Sequence, residues 1–426
     1  GSTPAVNSSK GENKLMSYFG RINYNYDSRY YITATMRADG SSKFARGNRW
    51  GYFPSGSLAW AFARESFIAE NASWLSNGKL RFSYGQTGNN RIGNYDYMAH
   101  LITDDDLYKY PWNGQFVPGY VLSSMQNEKL KWETTEQWNA GLDLGFLNNR
   151  INLTVDWYKK MSKDMLMQLN LPSIMGTSGN ASSALAAPYG NYGDIENTGL
   201  EIALNTHPIV TKDFDWSSDV TISINKNKLK SLSGSTALLG KGQWSDVVSR
   251  SVPGESLYNF YGYVVEGVYK DYNDIISSPV QTLQKNNPIS VTKDADGTKH
   301  YAWIDDPSKF SRSNTTYVGD LKYKDINKDG KIDENDKTNI GSPLPKWTFG
   351  WNNTFRYKNF DLNIFINGSV GAKVANYLNM KMTHMNSPWS NQLKDVNKRV
   401  HLVAKDGNYT GDWYDNCLLY TSPSPR

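Results

Sequence analysis

The residues best spaced for chemistry run from Asp325 to Asp336, in the order Asp-Ile-Asn-Lys-Asp-Gly-Lys-Ile-Asp-Glu-Asn-Asp. Side-chain oxygens fall at places one, three, five, nine and twelve of a loop, at Asp325, Asn327, Asp329, Asp333 and Asp336. The carbonyl of Lys331 supplies place seven, and Gly330 stands at place six, where such a loop turns sharply. Ca²⁺ takes about 6–8 hard oxygen ligands, so donor type and spacing predict a structural Ca²⁺ site that stiffens a long loop. Two features depart from a helix–loop–helix calcium hand. Place twelve holds the shorter Asp rather than Glu, and the preceding GDLKYK reads as a strand. The competing reading is a solvated Asn/Asp turn, which these residues form readily without a metal.

Other candidate chemistry is weaker. Residues 379–385 (NMKMTHM) hold thioether and imidazole donors suited to soft copper. The same spacing is that of a short helix packing its methionines, and that reading is preferred. Gly234 to Lys241 resembles a phosphate loop, but its spacing is one residue too long and Gly242 stands where a Mg²⁺-binding hydroxyl belongs. The histidines at 100, 207, 300, 384 and 401 lack a zinc-protease spacing, and no GxSxG nucleophile turn occurs. Asp104 to Asp106 read as solvated loop charge rather than a glycosidase pair. No catalytic residue is assigned, and the chain does not read as an enzyme.

The elements that must position these loops are long strands. From Glu133 to Lys160, Trp138, Ala140, Leu142, Leu144 and Phe146 alternate with Gln137, Asn139, Gly141, Asp143 and Gly145. After Asn148-Asn149, Ile151, Leu153, Val155 and Trp157 alternate with Asn152, Thr154, Asp156 and Tyr158. A period of two on both sides of a tight link predicts a β-hairpin. Each strand is longer than the ~5–6 residues usual in a soluble sandwich and matches the ~9–11 that cross a bilayer at a tilt. Similar alternation recurs around 18–36, 50–62, 80–84, 198–204, 216–224 and 347–366, giving about ten strands.

The links alternate between short and long. Short ones fall near Asp27, Asn148, Pro208 and Asn359, with a short helix after Phe62; long ones cover 39–49, 86–132, 161–192, 225–345 and the region beyond 370. Bacterial outer-membrane barrels have short periplasmic turns and long outer loops, so the parity assigns sides. Composition agrees. Apolar content is 38% and mean hydropathy −0.62, yet 13% of the residues are aromatic, as a barrel with a polar lumen and aromatic girdles requires. No apolar run reaches the ~18 residues of a membrane helix, which excludes a helical inner-membrane protein. The net charge of +5 is interspersed along the chain and reads as surface solvation rather than a nucleic-acid footprint. A single cysteine, Cys417, excludes an internal disulfide. The opening GSTPAVNSSKGEN has no signal-peptide core, so the chain reads as an internal piece of a longer protein.

Several stretches then resemble one family in the family's own order: RADGSSKF with GYFPSGSLAW, YGQTGNNRIGNY, KWETTEQWNAGLDLGFLNNRI, NTGLEIAL, FYGYVVEGVYKD, GDLKYKDINKDGKIDENDK and IGSPLPKWTFGWNNTFRYKNFDLNIF. They are similar to the SusC/RagA family of TonB-dependent outer-membrane transporters. That resemblance implies an all-β, antiparallel transmembrane barrel of about 22 strands around a plug, of which this chain carries about ten. It further implies import of oligosaccharides or peptides, driven through TonB and shared with a SusD-like surface lipoprotein that lids the barrel. Plug, TonB-binding segment, first strands and last strands are not in the sequence. Residues 1–416 read as the partial barrel. The final CLLYTSPSPR, residues 417–426, departs from the family pattern and resembles adapter read-through.

Under this reading the loop aromatics Tyr110, Trp112, Trp244, Tyr258, Phe260 and Tyr261 are the expected substrate contacts. A ring face stacks on a sugar or a peptide side chain, or alternatively packs a loop on the lid. The rival is a secreted, Ca²⁺-stabilised β-rich module that adheres to glycans. It would need polar outer faces on its strands, whereas here one face of each strand is apolar.

Overall fold

The computed structural model describes residues 10–102, 109–168, 188–233, 236–241, 247–270, 272–281, 289–293, 295, 299–303, 316, 320–383, 391–394, 401–404 and 413–416. Two compact units are present. One comprises residues 1–238, 251–257 and 345–371, and the other 239–250, 258–344 and 372–426.

The first unit is a ten-stranded antiparallel sheet whose spatial order is its chain order. Its strands are β1 (Leu15–Tyr26), β2 (Tyr30–Ser41), β3 (Trp50–Trp60), β4 (Leu75–Asn89), β5 (Glu133–Phe146), β6 (Ile151–Lys163), β7 (Gly193–Val210), β8 (Phe214–Leu232), β9 (Trp347–Tyr357) and β10 (Phe360–Val370). Every expected strand is present. Register explains why the pattern is so regular. One row of paired residues crosses all ten strands as Tyr24, Ile32, Leu58, Phe82, Ala140, Trp157, Leu200, Ile224, Trp347 and Val370. The next row on that face is Tyr26, Tyr30, Trp60, Leu80, Leu142, Val155, Ile202, Ile222, Phe349 and Gly368. Both rows are free of charge from edge to edge, and many of their side chains are exposed, Leu58 by 54%. An apolar face this continuous is matched to hydrocarbon rather than water.

Between them, on the other face, runs Asn25, Tyr31, Ala59, Arg81, Gly141, Asp156, Glu201, Ser223, Thr348 and Ser369. A slip of one residue in any strand would exchange the two faces, so the apolar rows themselves fix the register.

Boundaries differ from the expectations in two instructive places. The short link placed at Pro208 is in fact part of β7, and the chain turns at 211–213, where Thr211 and Phe214 exchange hydrogen bonds. Proline is tolerated there because the ladder shifts register between Thr206 and Ile209, and Arg150 takes up the freed carbonyls of His207 and Pro208. Likewise the long insertion begins after Leu232 rather than at Asn225, since the polar end of β8 continues to pair with β7. The turns at Asp27-Ser28 and Leu147 to Asn149 use left-handed backbone, which Asn and Asp accept more readily than other side chains.

Among the described residues, a buried apolar cluster forms where Phe53 of β3 meets residues of the long links. Phe44, Phe53, Ile92, Leu130 and Trp132 pack together, and the Trp132 indole donates to the Arg49 carbonyl at 2.8 Å. The links 42–49 and 90–132 are thereby tied to one another. On the short-link side, residues 62–69 form a turn of 3₁₀-helix and one of α-helix, and Glu65 collects three donors: Arg29 at 2.7 Å, Tyr30 at 2.7 Å and Trp60 at 3.0 Å. Hydrogen bonds from Tyr30 and Trp60, and then from Arg29, hold its carboxyl below the ordinary 4.5, against the opposing pull of burial. A depressed carboxylate stabilises above its unfolded value and loses that contribution as pH falls through the folded value. The advantage of the native protein over Glu65→Gln, read by thermal melting across pH, is therefore expected to be full at neutral pH, to begin falling near 4.5 and to be lost as pH drops further through the folded value.

Candidate functional site

The polar face of the sheet is built around Arg81. Its Nε and Nη2 donate to Asp143 at 2.7 and 3.0 Å, while Nη1 lies 3.0 Å from Asp156, so one guanidinium clamps carboxylates from β5 and β6. Thr154 adds a hydroxyl to Asp143 at 3.1 Å. The clamp needs an empty position between its members. A Cβ on Gly141 would come within 2.3 Å of Asp156 Oδ1 and 2.7 Å of Arg81 Cζ, so glycine there lets the guanidinium lie across the strand. Of this cluster the sequence placed Asp143 and Asp156 on the polar face; Arg81 was not singled out, and the glycine opposite it was the available signal.

Clefts of about 440, 360 and 310 Å³ open on this face. Their walls carry hydroxyls, amides and charges such as Thr35, Ser57, Gln137, Asn139, Lys160 and Glu201, joined in the first by apolar residues such as Phe365. Such a lining hydrogen-bonds water and polar solutes.

The Asp325 to Asp336 loop lies in the second unit and satisfies itself. Asp325 accepts from the amides of Lys328 and Gly330 at 2.6 and 2.8 Å, Asp329 from that of Lys331, and Asp333 from that of Asn335. Gly330 has φ +82°, the left-handed turn expected of the sixth place. Asp336 is fully buried and accepts from Ile326 and Asp333, both at 2.8 Å. Burial pulls its carboxyl up, but the three amides of Asp333, Ile326 and Asn327 outweigh it and hold it below its usual range. Among the described residues no three acidic, cysteine or imidazole side chains converge on one point. The donor types fit Ca²⁺, whereas Asp325, Asp329, Asp333 and Asp336 all accept from loop amides and would have to share or release them to join Asn327 and the Lys331 carbonyl around an ion. Asp336→Ala is expected to cost about 1–3 kcal/mol for each amide it orphans, seen as protease cutting within 325–336.

The aromatic candidates separate. Tyr110 and Trp112 share one face of a hairpin (Lys109–Trp112 with Gln115–Pro118) that turns at Asn113-Gly114, and Trp112 is 68% exposed. Tyr258, Phe260 and Tyr261 lie in the second unit, at and beside the strand Asn259–Gly262. There Arg250 sits 4.0 Å over the Tyr261 ring and covers one of its two faces. Trp244 lies outside the described residues.

Comparison with known proteins follows this geometry. The model for "TonB dependent receptor-like, beta-barrel" matches residues 1–416. The chain belongs to this TonB-dependent receptor family. It is 35% identical over 370 residues to TonB-dependent receptor P3 of Formosa agariphila, covering 86% of this chain and 33% of that protein. It is 31% identical over 415 residues to TonB-dependent receptor SusC of Bacteroides thetaiotaomicron, covering 94% of this chain and 36% of that one. In structure it is similar to the RagAB peptide transporter, with TM-score 0.69 and 23% identity over 96% of this chain and 39% of that one; at that identity the likeness speaks to fold. The chain therefore spans about a third of the length of these relatives. The family consists of outer-membrane β-barrel receptors and transporters, which agrees with the all-β sheet and its apolar face.

Proposed function

We propose that this chain is a wall segment of an outer-membrane importer that takes up oligosaccharides or peptides, coupled to TonB and working with a SusD-like surface lipoprotein. The observation that carries the proposal is the pair of uncharged rows crossing all ten strands, backed by a polar row on the other face. An uncharged face this long that is left exposed, with a polar row behind it, suits a wall between lipid and water. Both cargo classes stay within the proposal because the motifs shared with the SusC/RagA family do not separate them. In this reading the long links face outward, the Arg81 face lines the lumen, and Tyr110 with Trp112 meets cargo or lid. The rival adhesin needs polar outer faces, which the uncharged rows do not provide.

For the 325–336 loop we propose a structural Ca²⁺ site. Its support is donor type, the left-handed Gly330 and the hydroxyl of Tyr263, which is buried without a hydrogen-bond partner and whose ionisation is disfavoured first by burial and then by Glu334, Asp333 and Asp336. Deleting the intact gene and following uptake of labelled oligosaccharides and oligopeptides tests the import reading. Loss of one class is expected, and unchanged uptake of both would reject it. Ca²⁺ titration of the intact receptor, read by protection of the loop from protease, tests the metal.

A further inference from the structure

Just beyond the apolar rows, at the end of the sheet from which the long links leave, the same outward face becomes cationic. The row after Phe82, Ala140, Trp157, Leu200 and Ile224 reads Tyr84, Trp138, Lys159, Thr198 and Lys226. One step further it reads Gln86, Glu136, Met161, Glu196 and Lys228, and Lys163 and Lys230 follow. A register shift between Asp194 and Ile195 inserts Lys230, whose ammonium lies 3.8 Å from Glu196. Lys159 reaches the same Glu196 at 3.2 Å, and Lys163 reaches Glu136 at 2.8 Å.

Five lysines on β6 and β8 thus face three carboxylates, Glu136, Glu196 and Asp194, which leaves two positive charges. Asp194 is already engaged by Ser231 and the amide of Asp164. One Glu196 serves two lysines, while Lys226 and Lys228 have no ion pair among the described residues. The position matters as much as the charge. Successive residues on one face lie ~7 Å apart along a strand, so these ammonium groups stand one to three steps past the last uncharged row, beside Trp138 and Tyr84. That is the depth of lipid headgroups, where aromatic rings mark the boundary and basic clusters hold anionic lipid.

We infer that the patch of Lys159, Lys163, Lys226, Lys228 and Lys230 binds the phosphates of lipid headgroups in the leaflet on the long-link side. The inference rests on the outer-membrane orientation proposed above, and it is independent of cargo. On that side the occupant is a phosphorylated glycolipid, whose phosphates displace the shared claims on Glu196. Lysines as mobile point charges suit headgroups that differ in detail.

The test uses the intact receptor in neutral detergent, titrated with bisphosphorylated lipid A, with the same lipid after phosphate removal, and with phosphatidylglycerol, and read by native mass spectrometry. Wild type is expected to retain the phosphorylated form about tenfold better than the dephosphorylated one, and the triple variant Lys159→Gln, Lys226→Gln, Lys228→Gln to lose that preference. Glu196→Gln, which frees two lysines, is expected to raise retention, so the inference stays testable if the triple variant does not fold. Equal retention of the two lipid A forms by wild type, or an unaltered preference in the triple variant, overturns it. Preference for phosphatidylglycerol over lipid A overturns the leaflet assignment and with it the inference. Uptake assays on the same variants separate the two proposals, since lost lipid preference with normal import leaves the import reading standing.

Discussion

Leu142→Arg is expected to destabilise the intact receptor by about 2–4 kcal/mol when it is folded in lipid vesicles. Leu142 sits in β5 between Leu80 and Val155, in the middle of the uncharged row that ends at Phe349 and Gly368. An arginine there has two costly options. It places a guanidinium in hydrocarbon, or it stretches past Ala140 and Trp138 toward the headgroups and disturbs their packing. The matched control is Ser83→Arg on β4, whose side chain lies on the polar face and lines a cleft. That change is expected to stay within about 0.5 kcal/mol, because the new charge remains in water. Guanidinium unfolding of both variants in vesicles checks the pair. Equal costs would mean that the two faces meet the same solvent, and the wall reading would fall.

The contrast between Leu142 and Ser83 was legible in the sequence because a period of two is a purely local signal. Trp138, Leu142 and Phe146 need no partner to announce one face, nor Asn139 and Asp143 the other. What alternation does not carry is where a strand stops. The outer ends of β4 and β8 lose the alternation and are polar on both faces at Gln86 to Asn89 and Asn225 to Lys228, since above the membrane neither side asks for hydrocarbon. These ends were read as loop although they pair. Pro208 misled in the opposite direction, marking a bulge rather than a turn. The loop core of Phe44, Phe53, Ile92, Leu130 and Trp132 was invisible for another reason. Its members come from separate links and, for Phe53, from β3, and only the assembled register of β2, β3, β4 and β5 brings them together. For the 325–336 loop, spacing gave the donor types and the glycine correctly, while the orientation of each carboxylate toward its own amides is decided by loop closure. The Arg81 clamp lies between these cases, with its carboxylates visible and its bridging residue hidden on the preceding strand, across the long link 90–132.

Arg81→Leu is the second large effect expected. Its guanidinium is 35% exposed and the two carboxylates 23% each, so the cluster is neither a surface pair nor a dry one. Removing one partner of a fully buried ion pair costs about 3–5 kcal/mol, and exposed pairs about 0–1; a half-buried clamp on a wet face falls between, at about 2–3 kcal/mol. The cost arises less from lost attraction than from what remains: Asp143 and Asp156 face one another across Gly141 with no cation between them. This reasoning fixes the order of a variant series. Arg81→Lys should recover part of the loss, because one ammonium replaces the charge but not the two-pronged contact with Asp143. Adding Asp143→Asn and Asp156→Asn to Arg81→Leu should recover more, since the repulsion goes with the charges. Unfolding of the series in vesicles at constant salt measures the order. If the triple variant proves less stable than Arg81→Leu alone, the carboxylates are held by something other than the guanidinium, and the clamp does not organise this face.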